Sequence, residues 1–522
     1  MPPQDTPNTT TGLVSGFGVF KFDLNIGQTC ELVEPRDFLS DSTLRSMSML
    51  CFPDSQSIAS KSMTYDCLYY FTFNLPTPPH PHSSQTQSRS IVCYVYFKQV
   101  EDRTCSRGYY QKSFVILSSS PRVDEQLLSF ARSIGNKYFI AESEGCGAEV
   151  LVDALNQFSH SSVSARSPSN GSLCLDPTQP SSARSRPLVD TSDLVSSFLD
   201  GLWHVWEALM VGLPILVYAN GADVVCHLVT EISRLTSPFQ FKGNMHPYLS
   251  IFDPEYKRLL KHVPSGAIVG VTSPMAYEQL RDSFPVLISL PTPDDDLVLA
   301  SHVRIGSSVW ISDSITSVSS GTRDRMTSLM RNWSPTATTD SSYRLVVRPE
   351  IDTLKSKLVV SNINSDEQLT KSINNGIIAN YFSSLTRDFL IPFLAYIELD
   401  SSCLVRDVGS PTPLCAKFNH SLFMTNLVPV GYFGSLPQTK VEQVYGAFIR
   451  SNQFHAWLTR SQEKADLQSI QLHASLILKN FTKSPRIVER VHSLVALIQS
   501  SQSWHHKLEN ELKQLINLVA IP

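Results

Sequence analysis

Charge is scarce in this chain. Of its 522 residues only 17% are Asp, Glu, Lys or Arg, and the formal net charge is −4. That balance excludes long-range attraction to nucleic acid or to an anionic membrane as the organising principle. Ordered cysteine spacing is missing as well. The ten cysteines form no CxxC pair and no regular framework, and several, such as Cys93 and Cys226, lie inside apolar runs. A free thiol there behaves as a small hydrophobe. The pattern predicts a reducing compartment without disulfides. Long hydrophobic stretches are lacking too. The longest, Ala208 to Ala219, is interrupted by Gly212 and Pro214 and falls short of the ~20 residues that cross a bilayer. The N-terminal MPPQDTPNTT has neither the basic start nor the apolar centre of a signal peptide. A soluble protein is expected, with any membrane contact peripheral.

Catalytic signatures are equally thin. No P-loop, GxSxG elbow or HExxH occurs. The glycine-rich GLVSGFG (12–18) runs into a strand-like segment instead of a phosphate-cradling helix, so dinucleotide binding fails on context. His80 and His82 flank Pro81 without a nearby Cys or carboxylate, and His505 and His506 diverge on a helix. Asp294–Asp296 reads as a solvated loop. No cofactor and no metal are expected, and there is no internal repeat.

What the chain does have is length for two to four compact domains and an ordinary 42% of hydrophobic residues. The first 12 residues are a polar tail. GFGVFKFDL and QTCELVE read as strands meeting at a turn around Asn25 to Gly27. LSDSTLRSMSML follows as a short helix capped by Ser40. YDCLYYFTFN (65–74) is a third strand. After a Pro/His/Ser-rich excursion (75–90), YVYFKQV and YYQKSFVIL form a β-hairpin around Gly108. Imperfect alternation in both runs predicts strands covered on both faces, or on one face plus a partner. VDEQLLSFARSIG closes the series as an amphipathic helix. Two strands, a helix, three strands and a helix make a longin-type arrangement.

Residues 143–193 are Ser/Pro-rich and read as a linker. From 194 a helix (VSSFLDGLWHVWEALMVG) precedes alternating elements: strand PILVYA, helix ADVVCHLVTEISRL, strand YLSIF, helix PEYKRLLKHV, strand GAIVGVT, helix PMAYEQLRDSF and strand PVLISL. Such alternation predicts a mainly parallel sheet covered by helices. Val309 to Ile311 is a short strand within a loop-rich stretch. Beyond it helices are expected at Asn380 to Leu399, kinked at Pro392, and at 440–459, 463–479, 485–500 and 504–518. The fold class is therefore α/β: a longin-like α+β lobe (13–142), a linker (143–193), a central α/β lobe with a mainly parallel sheet (194–345) and a helical C-terminal part (346–522).

Five segments in order resemble DENN-domain proteins of the sixth subfamily: the hairpin YVYFKQVEDRTCSRGYYQKS, LMVGLPILVY (209–218), HPYLSIFDPEYK (246–257), YFSSLTRDFLIPFLAYI (381–397) and VYGAFIRSNQFHAWL (444–458). The resemblance reaches from about residue 14 to about residue 465. It implies a guanine nucleotide exchange factor for a Rab-family small GTPase in endosomal recycling, cytoplasmic and peripheral on endosomal membranes. Such a protein needs no nucleophile, base or metal. It binds the nucleotide-free GTPase more tightly than the loaded one and so speeds GDP release.

The implied geometry places the GTPase between the two lobes. That suggests contacts from Tyr218, Asn220 and Asp223 after the strand at 214–219, on the usual ligand edge of a parallel sheet. His246, Tyr248, Asp253 and Tyr256 follow, and Lys98, Gln99, Asp102 and Arg107 come from the hairpin. Helix capping by Asp223 or Asp253 competes with these roles, as does lobe packing by the hairpin residues. Two rival functions stay open: a GTPase-activating protein supplying Arg103 or Arg107 as an arginine finger, and a non-catalytic scaffold for a GTP-loaded partner.

Overall fold

The computed structural model describes residues 14–36, 38–54, 64–75, 90–120, 125–143, 146–147, 149–154, 199–290, 302–305, 308–311, 345–347, 350–359, 367–404, 417–479, 485–500 and 508–520. The expectations at His80, His82, Asp294–Asp296 and His505–His506, and for most of the linker, lie outside these residues. By internal contacts the chain divides into two compact units. The first holds Met1–Leu209, Leu213–Arg234 and Gly243–Ile377, and the second Met210–Gly212, Leu235–Lys242 and Ile378–Pro522.

The first unit carries two sheets. Strands β1 (Gly16–Asp23), β2 (Gly27–Glu34), β3 (Tyr65–Asn74), β4 (Ser90–Glu101) and β5 (Tyr109–Ser118) form an antiparallel sheet in the order β2-β1-β5-β4-β3. Helix α1 (Asp41–Ser48) lies on one face and α2 (Glu125–Ser143) on the other. Ser40 caps α1 by accepting from the Thr43 amide. Cover on both faces is why β4 and β5 lack clean alternation: from Ile91 to Phe97 every residue of β4 is buried. Tyr96 and Phe114 point to α2, where Gly135 leaves room for the Tyr96 ring. Lys112 of β5 reaches across β1 to pair with Glu31 of β2 at 2.9 Å and also pairs with Glu142 of α2. The expected linker begins differently: residues 149–154 are helical and bury Leu151 and Ala154.

The second sheet contains β6 (Ile215–Ala219), β7 (Met245–His246), β8 (Ile268–Val271), β9 (Val286–Leu290), β10 (His302–Ile305) and β11 (Ser308–Ile311), in the order β11-β10-β9-β6-β8-β7. Strands β7, β8, β6 and β9 are parallel, and β10 and β11 add an antiparallel edge. The mainly parallel sheet is thus as expected, but YLSIF is not its strand. The ladder stops after His246 because Pro247 has no amide to donate, and the chain turns at Ile251 and Phe252. Helices α3 (Leu202–Val211), α4 (Ala222–Arg234), α5 (Pro254–Leu259) and α6 (Pro274–Leu280) complete the alternation. Gly270 admits α4: a Cβ there would meet the Pro247 carbonyl and the methyls of Val225 and Val229.

Helix α4 also covers the edge of the first sheet. Cys226 Sγ accepts from the Tyr70 amide (3.4 Å) and donates to the Tyr70 carbonyl (3.6 Å). The Tyr70 and Thr230 hydroxyls lie 2.6 Å apart. The thiol stands in for a sixth strand at Tyr70, satisfying an amide and a carbonyl otherwise open to another chain. Helix α7 (Ile351–Lys355) also belongs to this unit.

The second unit is helical: the part of α8 (Glu367–Leu404) from Ile378, α9 (His420–Thr425), α10 (Gln438–Arg450), α11 (Asn452–Lys479), α12 (Pro485–Ser500) and α13 (Glu509–Ala520). Its core is aromatic. Phe389 stacks on Tyr445 (4.4 Å) and Phe393 on Phe423 (4.3 Å). Helix α11 runs unbroken where two helices were expected around residue 460. The break falls at Ser451, whose extended backbone ends α10 and whose hydroxyl accepts from the Phe454 amide. Ile470, Ala474 and Ile477, then Val491, Leu494 and Ile498, then Leu508, Leu512 and Leu515 form a three-helix seam. No described helix is long and apolar enough to cross a membrane.

Candidate functional site

In a parallel sheet the loops leaving the C-terminal strand ends gather on one edge. Here that edge collects the turn at Asn220 and Gly221 after β6, the loop 247–253 after β7, and Thr272 and Ser273 after β8, each leading into a helix N-terminus. Gly221 takes φ 148° to make the first of these turns. Ser273 caps α6 by accepting from the Ala276 amide, and Asp253 caps α5 by accepting from the Glu255 amide at 2.8 Å. Asp253 is thus the N-cap. Asp223 sits instead in the first turn of α4, one residue past the helix start.

A residue that sequence reasoning missed ties this edge to the first sheet. Asp54 follows α1, and its carboxylate accepts from Thr272 Oγ1 (2.7 Å) and Ser250 Oγ (3.3 Å), while its amide donates to the Tyr248 hydroxyl (3.0 Å). The Tyr248 ring meets Tyr69 of β3 edge-on at 4.9 Å. Burial pushes the Asp54 carboxyl above the usual carboxylate range, against the hydrogen bonds of Thr272, Ser250 and Tyr248. Only the adjacency of an acid to an apolar Cys51-Phe52-Pro53 run signals it in sequence. Nothing local says what it meets.

The same register brings the hairpin toward this edge. Tyr65, the first residue of β3, pairs with Gln99, and Asp66 pairs with Lys98. Tyr65 and Cys67 are pushed up mainly by burial, and the Asp223 charge adds to both. Asp223, β3 and the end of β4 therefore share one side of the first unit.

The expected contact residues divide by accessibility. Gln99 is buried and accepts from Gln111 Nε2 at 2.8 Å. Tyr218 is buried against Tyr277 (5.0 Å), Tyr248 is buried by Tyr69, and the buried Tyr256 donates to Gln279 Oε1 at 2.7 Å. These four side chains build the scaffold. Lys98 is half-buried, its ammonium 5.3 Å from the Phe139 ring centroid. Asn220, Asp223, His246 and Asp253 are half-buried along the parallel edge. Burial lowers the His246 pKa, against the pull of Glu255, and raises the Asp253 pKa to about 6. Asp102 orders its own turn through the Thr104 amide (2.9 Å) and hydroxyl (2.6 Å). Arg107 is exposed and lies over the rings of Phe22 (4.5 Å) and Tyr109 (4.9 Å). Exposed Phe252, on the loop after β7, and exposed Met275, in the first turn of α6, stand at the parallel edge.

This arrangement gathers polar groups, helix N-termini and apolar side chains along one edge of the sheet. Among the described residues no cluster of three or more His, Cys, Asp or Glu could hold a metal ion.

No family model matches the chain. Among curated proteins it is similar to Protein DENND6B of Mus musculus, 29% identical over 327 residues, 55% of this chain and 55% of the relative. Protein DENND6A of Gallus gallus is 23% identical over 506 residues, covering 87% of this chain and 80% of that protein. Protein DENND6 homolog of Dictyostelium discoideum is 22% identical over 473 residues, covering 74% and 61%. The chain spans about half the length of the mouse and human DENND6B proteins it matches.

Proposed function

We propose that this protein belongs to the DENN-domain family, sixth subfamily, and is a guanine nucleotide exchange factor for a Rab-family small GTPase, a reading that similarity to DENND6-named proteins over much of the chain supports. The GTPase docks where the parallel-sheet edge meets the first residues of β3 and the end of β4. Lys98, Asp102, Asn220, Asp223, His246 and Asp253 contact it, and Gln99, Tyr218, Tyr248 and Tyr256 hold those groups in place from beneath. The observation that carries the reading is the Asp54 junction. A half-buried carboxylate from the segment that follows α1 binds two loops of the second sheet through Ser250 and Thr272, which supports a pre-organised surface on which one GTPase meets both sheets.

Exchange then follows from differential binding. A surface complementary to the nucleotide-free GTPase lowers its free energy relative to the GDP-bound form, and release accelerates with no covalent step. The site of action is the cytoplasmic face of endosomal membranes, where the protein associates peripherally.

The test is release of fluorescent GDP from a panel of purified Rab GTPases with and without the full chain. One or a few Rabs are expected to respond, and Asp223→Ala should slow the response by roughly tenfold, as losing a charged contact of ~1.4 kcal/mol would. A panel with no response overturns the exchange reading. Faster GTP hydrolysis in its place, lost in Arg103→Ala or Arg107→Ala, would mark an activating protein.

A further inference from the structure

We propose that the turn joining β1 to β2, with Arg107 beside it, is a membrane-inserting tip: Leu24 and Ile26 enter the interface of a lipid bilayer while Arg107 and Tyr109 meet its headgroups. Ile26 is 77% exposed and Leu24 48%, and the two flank Asn25 on a three-residue turn. The turn is held firmly. The Asp23 carboxylate accepts from the amides of Asn25 (2.8 Å) and Ile26 (3.1 Å), and Gly27 closes the loop at φ 90°. Two aliphatic side chains are thus presented on a pre-ordered apex, which spares the ordering cost of insertion.

Antiparallel pairing of β1 with β5, and of β5 with β4, brings the β4–β5 turn to the same end of the sheet. There Arg107 lies over Phe22 and Tyr109 and donates to the Tyr109 hydroxyl at 3.0 Å. The carboxylates of the two turns are engaged elsewhere: Asp23 by the turn amides, Asp102 by Thr104, and Glu101 by Arg103 at 3.4 Å. The described partners of Arg107 are two rings and a hydroxyl, so its charge faces outward.

A three-residue apex is too small for a stable protein interface, which takes roughly 20–30 residues a side. A bilayer needs only side chains that penetrate, with arginine and tyrosine at headgroup depth. Lys21, Arg103 and Arg107 balance Asp23, Glu101 and Asp102 across the two turns. Apolar insertion therefore leads the binding and charge adds to it.

Co-sedimentation of the full chain with phosphatidylcholine vesicles, with and without phosphatidylserine, tests this without any GTPase. Binding is expected to both, tighter with phosphatidylserine. A Leu24→Ser, Ile26→Ser double variant should lose roughly tenfold or more of the partitioning, from the apolar surface removed. Arg107→Gln should lose only the phosphatidylserine increment. Both aliphatic side chains are exposed, so an unchanged thermal midpoint confirms that the double variant folds. An intact chain that sediments with neither vesicle, or a double variant that sediments like the intact chain, overturns the proposal. So does a double variant that keeps vesicle binding and loses GDP release in solution, since the apex would then belong to a protein interface. If no Rab responds but vesicle binding still depends on Leu24 and Ile26, the membrane tip stands and only the exchange reading falls.

Discussion

Asp253 shows how one side chain can serve a local and a wider role. It caps α5 through the Glu255 amide, and burial lifts its pKa to about 6 from an ordinary 3.8. A carboxyl with a raised folded-state pKa binds its proton more tightly in the native protein than in the unfolded chain. Its contribution to stability is therefore full below the ordinary value and is lost as pH rises through about 6. Asp253→Asn keeps an acceptor for the helix amide and removes the titration. Its thermal midpoint should climb relative to the intact chain as pH rises from about 4 to about 7. Asp253→Ala, which loses the cap, should cost about 1 kcal/mol. Parallel midpoint-versus-pH curves for the intact chain and the Asn variant would refute this account.

Helix α3 makes the corresponding point for an element. It is apolar on all sides, as a helix surrounded by protein should be, yet it contains Glu207 with no exposed surface. The Glu207 carboxylate accepts from the Val346 amide (2.8 and 3.1 Å) and the Val347 amide (2.9 Å), within the first unit. One carboxylate thus fixes an irregular segment lying about 140 residues further along the chain. Glu207→Ala strands two buried donors and should destabilise by about 2–4 kcal/mol, while Glu207→Gln, which keeps one acceptor, should fall between. Thermal or denaturant unfolding of the three proteins decides it. Equal losses in Ala and Gln would mean that the charge, not the acceptor count, matters.

For the whole molecule, the described cysteines report on opening. Cys51, Cys67, Cys93 and Cys226 are buried free thiols whose pKa values burial pushes up, and Cys146 is exposed. A buried, protonated thiol does not react, since the thiolate is the nucleophile. Maleimide labelling read by mass spectrometry should modify Cys146 within minutes and leave the four buried thiols protected until the first unit opens. Rapid labelling of Cys226 in the native protein would show α4 separating from β3. The two sheets belong to one compact unit, so the proposed docking surface would be formed in advance instead of assembled on binding.

The sequence by itself determined the order and type of most elements, though not β10, α7 or α9. Periodicity, turn residues and caps act within a few positions, and each left a local mark: Ser40 before α1, Gly108 in the hairpin, alternating apolar strands and helices from 214 onward. The accessible half of the candidate site was legible for the same reason, because Asn220, Asp223 and Asp253 stand where strands end and helices begin. Only the tertiary structure decided what those marks could not carry. It turned Tyr218, Tyr248 and Tyr256 inward, since a tyrosine's exposure depends on which sheet or helix lies over it. It ended the ladder at Pro247, moved the helical break to Ser451, and joined the sheets through Asp54, Cys226 and Tyr70. Those contacts link residues 156 to 218 positions apart, and no local pattern encodes a partner at that distance.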